Sequence, residues 1–291
     1  MSVDEGTLWP PRAHLGGKGR RHPWLAPGLL LPLAFVLLLV TAMFAPEWFT
    51  SLAPDAIDPD AILQAPRPGH WFGTDELGRD VFCRVIYGTS ESLTIGVGAM
   101  TVACLGGISL GTAASLAPSL VRRVLVRLID ILLAFPELLL ALLVIAVLGR
   151  GPLNTLIAVG LSHIAGYSRL VRSQVLKVKL SGYVEHAVTI GEQPWTIILK
   201  HIVPNTIRPL MILATIGVGT SVLTASALSF LGLGVVPPEA EWGALLASGR
   251  NFIEIAPWMS LLPASVVAIS VISMTLLGRR LQVLLSRGEI P

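Results

Sequence analysis

Six long apolar runs constrain this chain more than any other feature of its 291 residues. They extend over about residues 25–44, 93–117, 128–148, 153–167, 209–233 and 259–277. A run of about 20 apolar residues is long enough to cross the hydrocarbon core of a bilayer as a helix. Because 53% of the residues are hydrophobic, only 13% are charged and the mean hydropathy is +0.73, a soluble domain of this length is excluded. We therefore expect an all-α polytopic membrane protein with six transmembrane helices.

The runs divide the chain into five parts: a basic tail (1–24), a first transmembrane helix (25–44), an outer segment (45–92), a membrane domain (93–278) and a second tail (279–291). Sixteen of the 21 Lys and Arg residues lie on the same side of the six runs as the tails, and five lie on the other side. Since basic residues are retained in the cytoplasm, both termini are predicted to be cytoplasmic and residues 45–92 extracytoplasmic. The basic residues form no single patch, so no nucleic-acid partner is expected.

The outer segment is predicted to end in an amphipathic helix that lies on the membrane surface before the second run. Leu77, Val81 and Val85 recur every fourth residue, which is the spacing of one helix face. Asp80 and Arg84 have the spacing of an ion pair on another face of the same helix.

The segment between the fourth and fifth runs, residues 169–208, has a pattern too regular for a plain loop. Ser181 suits the N-cap of a helix, and Glu185 lies in its first turns, where a carboxylate favours the helix dipole. Gly191 suits the C-terminus of this helix, where a positive φ is often required, and Pro194 suits the first turn of a second helix. Pro204 is expected to follow the end of the second helix.

Each helix of this hairpin carries apolar residues at helical spacing. The predicted stripes are Val184, Ala187 and Val188 in the first helix, and Trp195, Ile198, Leu199 and Ile202 in the second. On shape alone, a helical hairpin at the membrane surface without a partner is favoured over an element that docks in another protein.

The residues of the hairpin favour the docking element. Tyr183-Val-Glu185-His-Ala187, followed by Gly191 and Ile202-Val-Pro204, resembles the EAA motif of ABC importer permeases. Further stretches match in order, from Gly73–Asp80 (GTDELGRD) through LLAFP ending at Pro136, YSRLVR beginning at Tyr167, and LSFLGLG ending at Gly234, to Trp242-Gly243. Over about residues 70–278 the chain resembles the C-type permease subunit of oligopeptide and dipeptide importers.

The chain departs from the family pattern at three places. His186 replaces the Ala that the motif usually has, His163 lies where a Trp is common, and Gly278-Arg279-Arg280 replaces a more acidic ending. The first departure affects the contacts expected with an ATPase.

The resemblance implies a fold, a location and a set of partners. The fold is an N-terminal helix followed by the five-helix core of a type I ABC importer permease, in a bacterial inner membrane. The implied partners are a homologous B-type permease subunit, two ATPase subunits or a fused ATPase, an extracytoplasmic peptide-binding protein and membrane lipid. The residues implied to transmit ATPase motion are Tyr183, Glu185, His186, Ala187, Gly191, Trp195, His201 and Pro204.

The resemblance implies uptake of oligopeptides or dipeptides, with glutathione or a nickel complex as an alternative substrate. A secondary transporter driven by an ion gradient is the alternative of a different class, and it needs no docking hairpin. The chain contains no GxxxxGK[ST] phosphate loop, HExxH or GxSxG pattern, so we expect no catalysis and no cofactor on it, with ATP and Mg²⁺ on the partner ATPases.

Two ionisable residues within the predicted spans are candidates for the translocation path. Glu137 is expected on a protein-facing side of the third run, because an ionisable group facing lipid costs roughly 2.5–3.5 kcal/mol or more. Pairing of Glu137 with a neighbouring helix is favoured over substrate contact, and His163 is favoured as a hydrogen-bonded packing residue. Gly106, Gly107 and Gly111 are expected to permit close packing of helices.

Overall fold

The structure, a computed structural model, describes residues 27–236 and 238–286, and within these ranges it is helical without a β-strand. The helices are α1 (Pro27–Phe44), α2 (Val81–Leu116), α3 (Ser119–Ala134), α4 (Glu137–Leu148), α5 (Pro152–Lys179), α6 (Gly182–Thr189), α7 (Pro194–Thr196), α8 (Val203–Phe230), α9 (Trp242–Gly249) and α10 (Trp258–Ser286). A π-helical segment, Ile197–Ile202, joins α7 to α8. The basic tail 1–24, the start of the first predicted span and the last residues of the chain lie outside the described residues.

The lengths of the apolar helices bear on the predicted number of spans. Three helices, Val81–Leu116, the continuous Pro194–Phe230 and Trp258–Leu284, are long and apolar enough to cross a membrane. Together α3 and α4 would make a fourth span, broken by a bend of 96°. Every predicted apolar run contains a helix, but α1 is short and α5 is less apolar than the three long helices. The count of six spans therefore stays a prediction.

The packing of α2 against α5 depends on glycines that allow the two backbones to approach closely. A Cβ atom on Gly107 would lie 2.6 Å from the Cβ of Tyr167, and one on Gly111 would lie 2.5 Å from the carbonyl oxygen of Ser168. These distances are shorter than any van der Waals contact. The expectation that Gly107 and Gly111 permit close helix packing is confirmed.

The outer segment folds back on the helix ends through a buried network of charges. The Nε of Arg79 donates to Asp75 at 2.7 Å, and both side chains are buried. Arg84 contacts Asp55 at 3.4 Å and Asp75 at 3.9 Å, so it does not form the predicted ion pair with Asp80. Because Asp75, Arg79 and Arg84 are buried and lie close together, the network fixes the segment against the N-terminal end of α2.

No separate amphipathic helix precedes α2 in the described residues. The residues from Asp75 to Asp80 form turns, and the helix begins at Val81 and continues without a break to Leu116. Asp80 ends the turn because its carboxylate accepts a hydrogen bond from the amide of Cys83 at 2.7 Å, which makes it the N-cap of α2. The i, i+4 pattern that began at Leu77 thus includes a residue that precedes the helix.

A short helix, α9, is capped by one buried carboxylate, which also accepts a hydrogen bond from Ser92 of α2. Glu241 is 1% exposed and accepts hydrogen bonds from the amides of Gly243 at 2.8 Å and Ala244 at 2.9 Å. The next residue, Trp242, is fully buried and donates its indole N–H to the carbonyl of Val85 at 3.0 Å. The Trp242-Gly243 pair is therefore a packing element that ties α9 to α2 and α8.

Candidate functional site

The first helix of the hairpin, α6, begins where the sequence predicted. Ser181 has the extended backbone of an N-cap, although its hydroxyl donates back to the carbonyl of Val178 at 2.5 Å and makes no capping bond to α6. Glu185 lies exposed in the first turn. Of the predicted stripe, Val184 and Ala187 are buried, whereas Val188 is exposed. The helix thus rests on a narrow apolar edge and presents the rest of its surface outward.

Gly191 forms the turn of the hairpin and has a φ of +78°, as its position predicted. No atom lies within 4 Å of where its Cβ would be. The glycine is therefore required by the backbone conformation and not by a lack of space.

The second helix differs from the prediction in its hydrogen bonding and in its end. Residues 197–202 form a π-helical segment, in which each turn contains more residues than an α-helical turn. As a result Ile197 and Ile202 are buried, whereas Trp195 and Leu199, predicted on the same face as Ile202, are 72% and 63% exposed. The predicted face was wrong because it assumed the period of an α-helix, whereas this segment has the longer period of a π-helix.

Pro204 does not end the second helix. It lies in the first turn of α8, where the hydrogen-bond pattern changes from the π to the α type, and the helix continues through it to Phe230. The second hairpin helix is consequently continuous with the fifth predicted span. The hairpin and the fifth predicted span thus share one uninterrupted helix, Pro194–Phe230.

A contact between Glu192 and His201 links the parts of the hairpin; the sequence pointed to His201 but not to Glu192. The carboxylate of Glu192 contacts Nε2 of His201 at 3.0 Å. The ring of His201 also lies 6.4 Å, between centroids, from that of Tyr183 on α6. Glu192 is in the turn, and its spacing of nine residues from His201 gives no helical or strand signal.

The hairpin rests on an apolar cluster formed with two long helices, α5 and α8. The cluster contains Val171 and Val175 of α5 and Leu210 of α8, together with the buried residues of the hairpin, Val184, Ala187, Ile197 and Ile202. Of the eight predicted coupling residues, Ala187 is buried and His201 is half-buried, and the other six are exposed: Tyr183, Glu185, His186, Gly191, Trp195 and Pro204.

The second candidate site is an ion pair at the break between α3 and α4. Pro136 separates the two helices, and Glu137 begins α4. The Glu137 carboxylate contacts Nε2 of His163 on α5. Nδ1 of the same ring lies 2.7 Å from the carbonyl oxygen of Val159. The structure thus brings together the two residues that the sequence proposed separately, and Glu137 pairs with a neighbouring helix.

The ion pair lines a cavity that is open on one side. The cavity has a volume of about 210 Å³ and includes Ser162 and Tyr167 beside the pair. The His163 side chain is 6% exposed, whereas that of Glu137 is 49% exposed. The carboxylate therefore has a free side that faces away from the chain. Among the described residues, no group of three or more His, Cys, Asp or Glu side chains is placed to hold a metal ion.

Comparisons with known proteins agree with this architecture. Residues 105–290 match the family described as the binding-protein-dependent transport system inner membrane component. The chain is 37% identical over 260 residues to the glutathione transport system permease protein GsiD of Pectobacterium atrosepticum, covering 89% of this chain and 85% of that protein. It is 39% identical over 251 residues to the dipeptide transport system permease protein DppC of Alkalihalophilus pseudofirmus. This match covers 86% of this chain and 81% of that protein.

A third relative and two solved structures extend the comparison. The probable D,D-dipeptide transport system permease protein DdpC of Escherichia coli K12 is 34% identical over 282 residues, covering 96% of this chain and 94% of that protein. The inward-facing MetNI methionine ABC transporter has a chain with a TM-score of 0.59 at 17% identity, covering 72% of this chain and 97% of that one. An amino acid ABC transporter crystallised with histidines has a chain with a TM-score of 0.54 at 18% identity. The match covers 70% of this chain and 94% of that one.

At these identities the solved structures show the fold, and the relatives show the family. This family consists of the membrane permease components of ABC transporters. These components are not themselves catalytic. Family membership decides against the secondary transporter. The chain belongs to the family of binding-protein-dependent transport system inner membrane components.

Proposed function

We propose that the chain is one of the two transmembrane subunits of an ATP-driven importer of short peptides. The names of its relatives support this substrate class, because dipeptides, D,D-dipeptides and glutathione are all short peptides. Whether the substrate is a dipeptide, glutathione or a longer oligopeptide is decided by an uptake assay. Purified complex in proteoliposomes is supplied with its binding protein, ATP and labelled dipeptide, glutathione, tetrapeptide or octapeptide.

The hairpin of α6, the Gly191 turn and α7 is the observation that carries the proposal. Its exposed surface presents Tyr183, Glu185 and Trp195 to a partner. Its buried edge packs on α5 and α8. An element that is exposed on one side and fixed on the other transmits force. In the proposed cycle ATP binding closes the ATPase subunits, the hairpins of the two permeases move together, and the path between the permeases opens outward.

Glu185 is proposed as a contact with a basic group on the ATPase. It is exposed and forms no ion pair within the described ranges. Glu185→Lys reverses its charge, and Glu254→Lys is a matched control because Glu254 is exposed in the segment between α9 and α10. We expect Glu185→Lys to lose peptide uptake and binding-protein-stimulated ATP hydrolysis, and Glu254→Lys to retain hydrolysis by the ATPase subunits. Wild-type uptake by Glu185→Lys would show that this carboxylate is not part of the coupling surface.

The proposed topology has six spans with both termini in the cytoplasm. Reporter fusions at Arg20, Pro68, Gly182, Pro238 and Arg287 test it. We expect cytoplasmic signals at Arg20, Gly182 and Arg287, and extracytoplasmic signals at the other two positions. An extracytoplasmic signal at Gly182 would contradict the proposal, because the hairpin would then be on the wrong side for an ATPase.

A further inference from the structure

A cleft between α3 and α5 concentrates positive charge at the inner side of the membrane domain. The cleft has a volume of about 330 Å³ and is lined by Arg122, Arg123, Val126, Arg127, Asp130 and Arg172. Three of its four arginines come from α3, and the fourth comes from α5, so only the tertiary structure brings them together. None of the four forms an ion pair with a carboxylate in the part of the chain that the structure describes, Asp130 included.

One buried nitrogen in the cleft has no partner. The Nε of Arg172 is inaccessible to solvent and makes no hydrogen bond within the described ranges. A buried donor without a partner costs free energy, and more when the group is charged. The guanidinium group donates in a planar fork that matches the oxygens of a phosphate. The four arginines therefore give the cleft the positive charge that an anionic phosphate group requires.

An apolar groove adjoins the cleft and shares two of its arginines. The groove has a volume of about 410 Å³ and is lined by Leu120, Arg123, Val124, Arg127, Leu128 and Ile131. Its apolar residues recur at spacings of three and four on α3, and Val124 is 60% exposed. Since Arg123 and Arg127 line both spaces, a molecule with a phosphate head and an apolar tail would occupy both at once.

The orientation of α3 places this combination at the membrane surface. The helix is bent by 96° from the apolar α4. If α4 lies along the bilayer normal, α3 lies close to the membrane plane, where an amphipathic helix puts its apolar face among acyl chains and its basic face among head groups. Basic pockets between helices on the cytoplasmic side are known to hold anionic lipid head groups.

We propose that the cleft and the groove together form a binding site for an anionic phospholipid of the inner leaflet. The arginines hold the phosphate of the head group, and one acyl chain lies along Leu120, Val124 and Leu128. The choice of leaflet rests on the proposed cytoplasmic orientation of these residues. The site assigns to α3 a lipid contact, in addition to its place in the broken span.

The test uses the purified importer complex in nanodiscs of phosphatidylcholine, titrated with fluorescent phosphatidylglycerol. We expect the double variant Arg123→Gln/Arg172→Gln to bind this lipid about thirtyfold more weakly, since each arginine near the surface contributes about 1 kcal/mol to attraction of an anionic lipid. The matched control is Lys177→Gln/Lys179→Gln, which removes two exposed charges from α5 outside the cleft and should weaken lipid binding much less than the double arginine variant does.

Two further measurements separate the lipid from other occupants. Val124→Asn keeps every arginine but makes the groove polar, so it should weaken phosphatidylglycerol binding and not the binding of inorganic phosphate. If inorganic phosphate displaces the lipid completely, and binds wild type and Val124→Asn alike, the cleft is a phosphate site and the proposal is wrong.

Two other results would also overturn the proposal. The first is equal affinity for phosphatidylglycerol and phosphatidylcholine. The second is lipid binding by the isolated chain that disappears in the complex, because a partner subunit would then occupy this surface. Peptide uptake is measured in the same samples. Normal uptake without specific lipid binding would refute only the lipid site, whereas specific lipid binding without uptake of any peptide would refute only the proposed function.

Discussion

The carboxylate of Glu192, in the turn of the hairpin, lies 3.0 Å from the imidazole of His201 in the π-helical segment. Both side chains are about 30% exposed, so water screens the interaction. An ion pair of this kind contributes less than about 1 kcal/mol to stability. Its consequence is geometric, because it fixes the turn relative to the helix that continues into the membrane.

We predict that Glu192→Gln lowers the amount of peptide imported per ATP hydrolysed while changing the stability of the complex by less than about 1 kcal/mol. Uptake and hydrolysis are measured side by side in proteoliposomes. Glu254→Gln, an exposed carboxylate away from the hairpin, is the control and should leave the ratio unchanged. An unchanged ratio in Glu192→Gln as well would show that the contact with His201 does not position the hairpin.

Gly191→Val should disturb the hairpin through the backbone alone. The glycine has a φ of +78° with open space around its Cβ position, and a β-branched residue in that conformation is strained by roughly 1–3 kcal/mol. Gly182→Val is the matched control, because Gly182 also has open space but lacks a positive φ. We expect the Gly191 variant to insert normally and to lose uptake, and the Gly182 variant to retain it. Equal effects of the two substitutions would contradict this explanation.

Gly111→Val should separate α2 from α5. Its side chain would collide with the carbonyl of Ser168, and overpacking a core of this kind typically costs about 1–3 kcal/mol. Gly166→Val, on the facing helix α5 but with open space, is the control. The midpoint of thermal unfolding in detergent should fall for the first variant only. A midpoint at the wild-type temperature for Gly111→Val would mean that the two helices can move apart at no cost.

The contact between Glu137 and His163 should appear as an energetic coupling. We expect Glu137→Gln to reduce uptake while leaving assembly of the complex intact, because it removes the charge at the break between α3 and α4. The double variant Glu137→Gln/His163→Gln should be less defective than the sum of the single variants, by roughly 0.5–3 kcal/mol in stability. Additive effects would show that the two side chains act separately, and normal uptake by Glu137→Gln would remove this residue from the translocation path.

The burial of Glu241 predicts that the stability of the protein depends on pH. Burial raises the pKa of its carboxyl, so the folded state binds the proton more tightly than the unfolded chain does. This tighter binding of the proton stabilises the folded state. Its contribution is fully present below the ordinary pKa of about 4.3 and is lost as the pH rises through the higher pKa of the folded state. We expect Glu241→Gln to unfold at a midpoint less dependent on pH than that of the wild type, measured upward from pH 4. The same slope in both proteins would assign the dependence to other groups.

The positions of the helices and of the hairpin were open to prediction from the sequence, because their signals are local. Apolar runs of sufficient length define helices in a membrane irrespective of what they pack against. Gly191 was placed correctly because glycine is the residue that adopts a positive φ without strain. Glu185 was placed in a first turn by its distance from Ser181.

The errors arose where the local pattern admitted two structures. Leu77 has the i, i+4 spacing of the residues in α2, which predicted that it belongs to a helix. The carboxylate of Asp80, three residues after Leu77, caps α2, so the helix begins after Asp80 and Leu77 lies outside it. Pro204 is a common end of a helix, yet the change from π to α hydrogen bonding just before it lets the helix continue. In each case one hydrogen-bonding choice, invisible to periodicity, moved a boundary.

By itself the sequence determined the helical class, the motif-bearing segments and the glycines at which helices meet, since these depend on short-range covalent and steric properties. Only the tertiary structure decided which charges are neighbours: Glu137 with His163, Glu192 with His201, and Arg172 with the arginines of α3. Such pairs join residues far apart along the chain or without helical spacing. Their energies depend on distances of a few ångströms and on exclusion of water, and these exist only after the helices have packed.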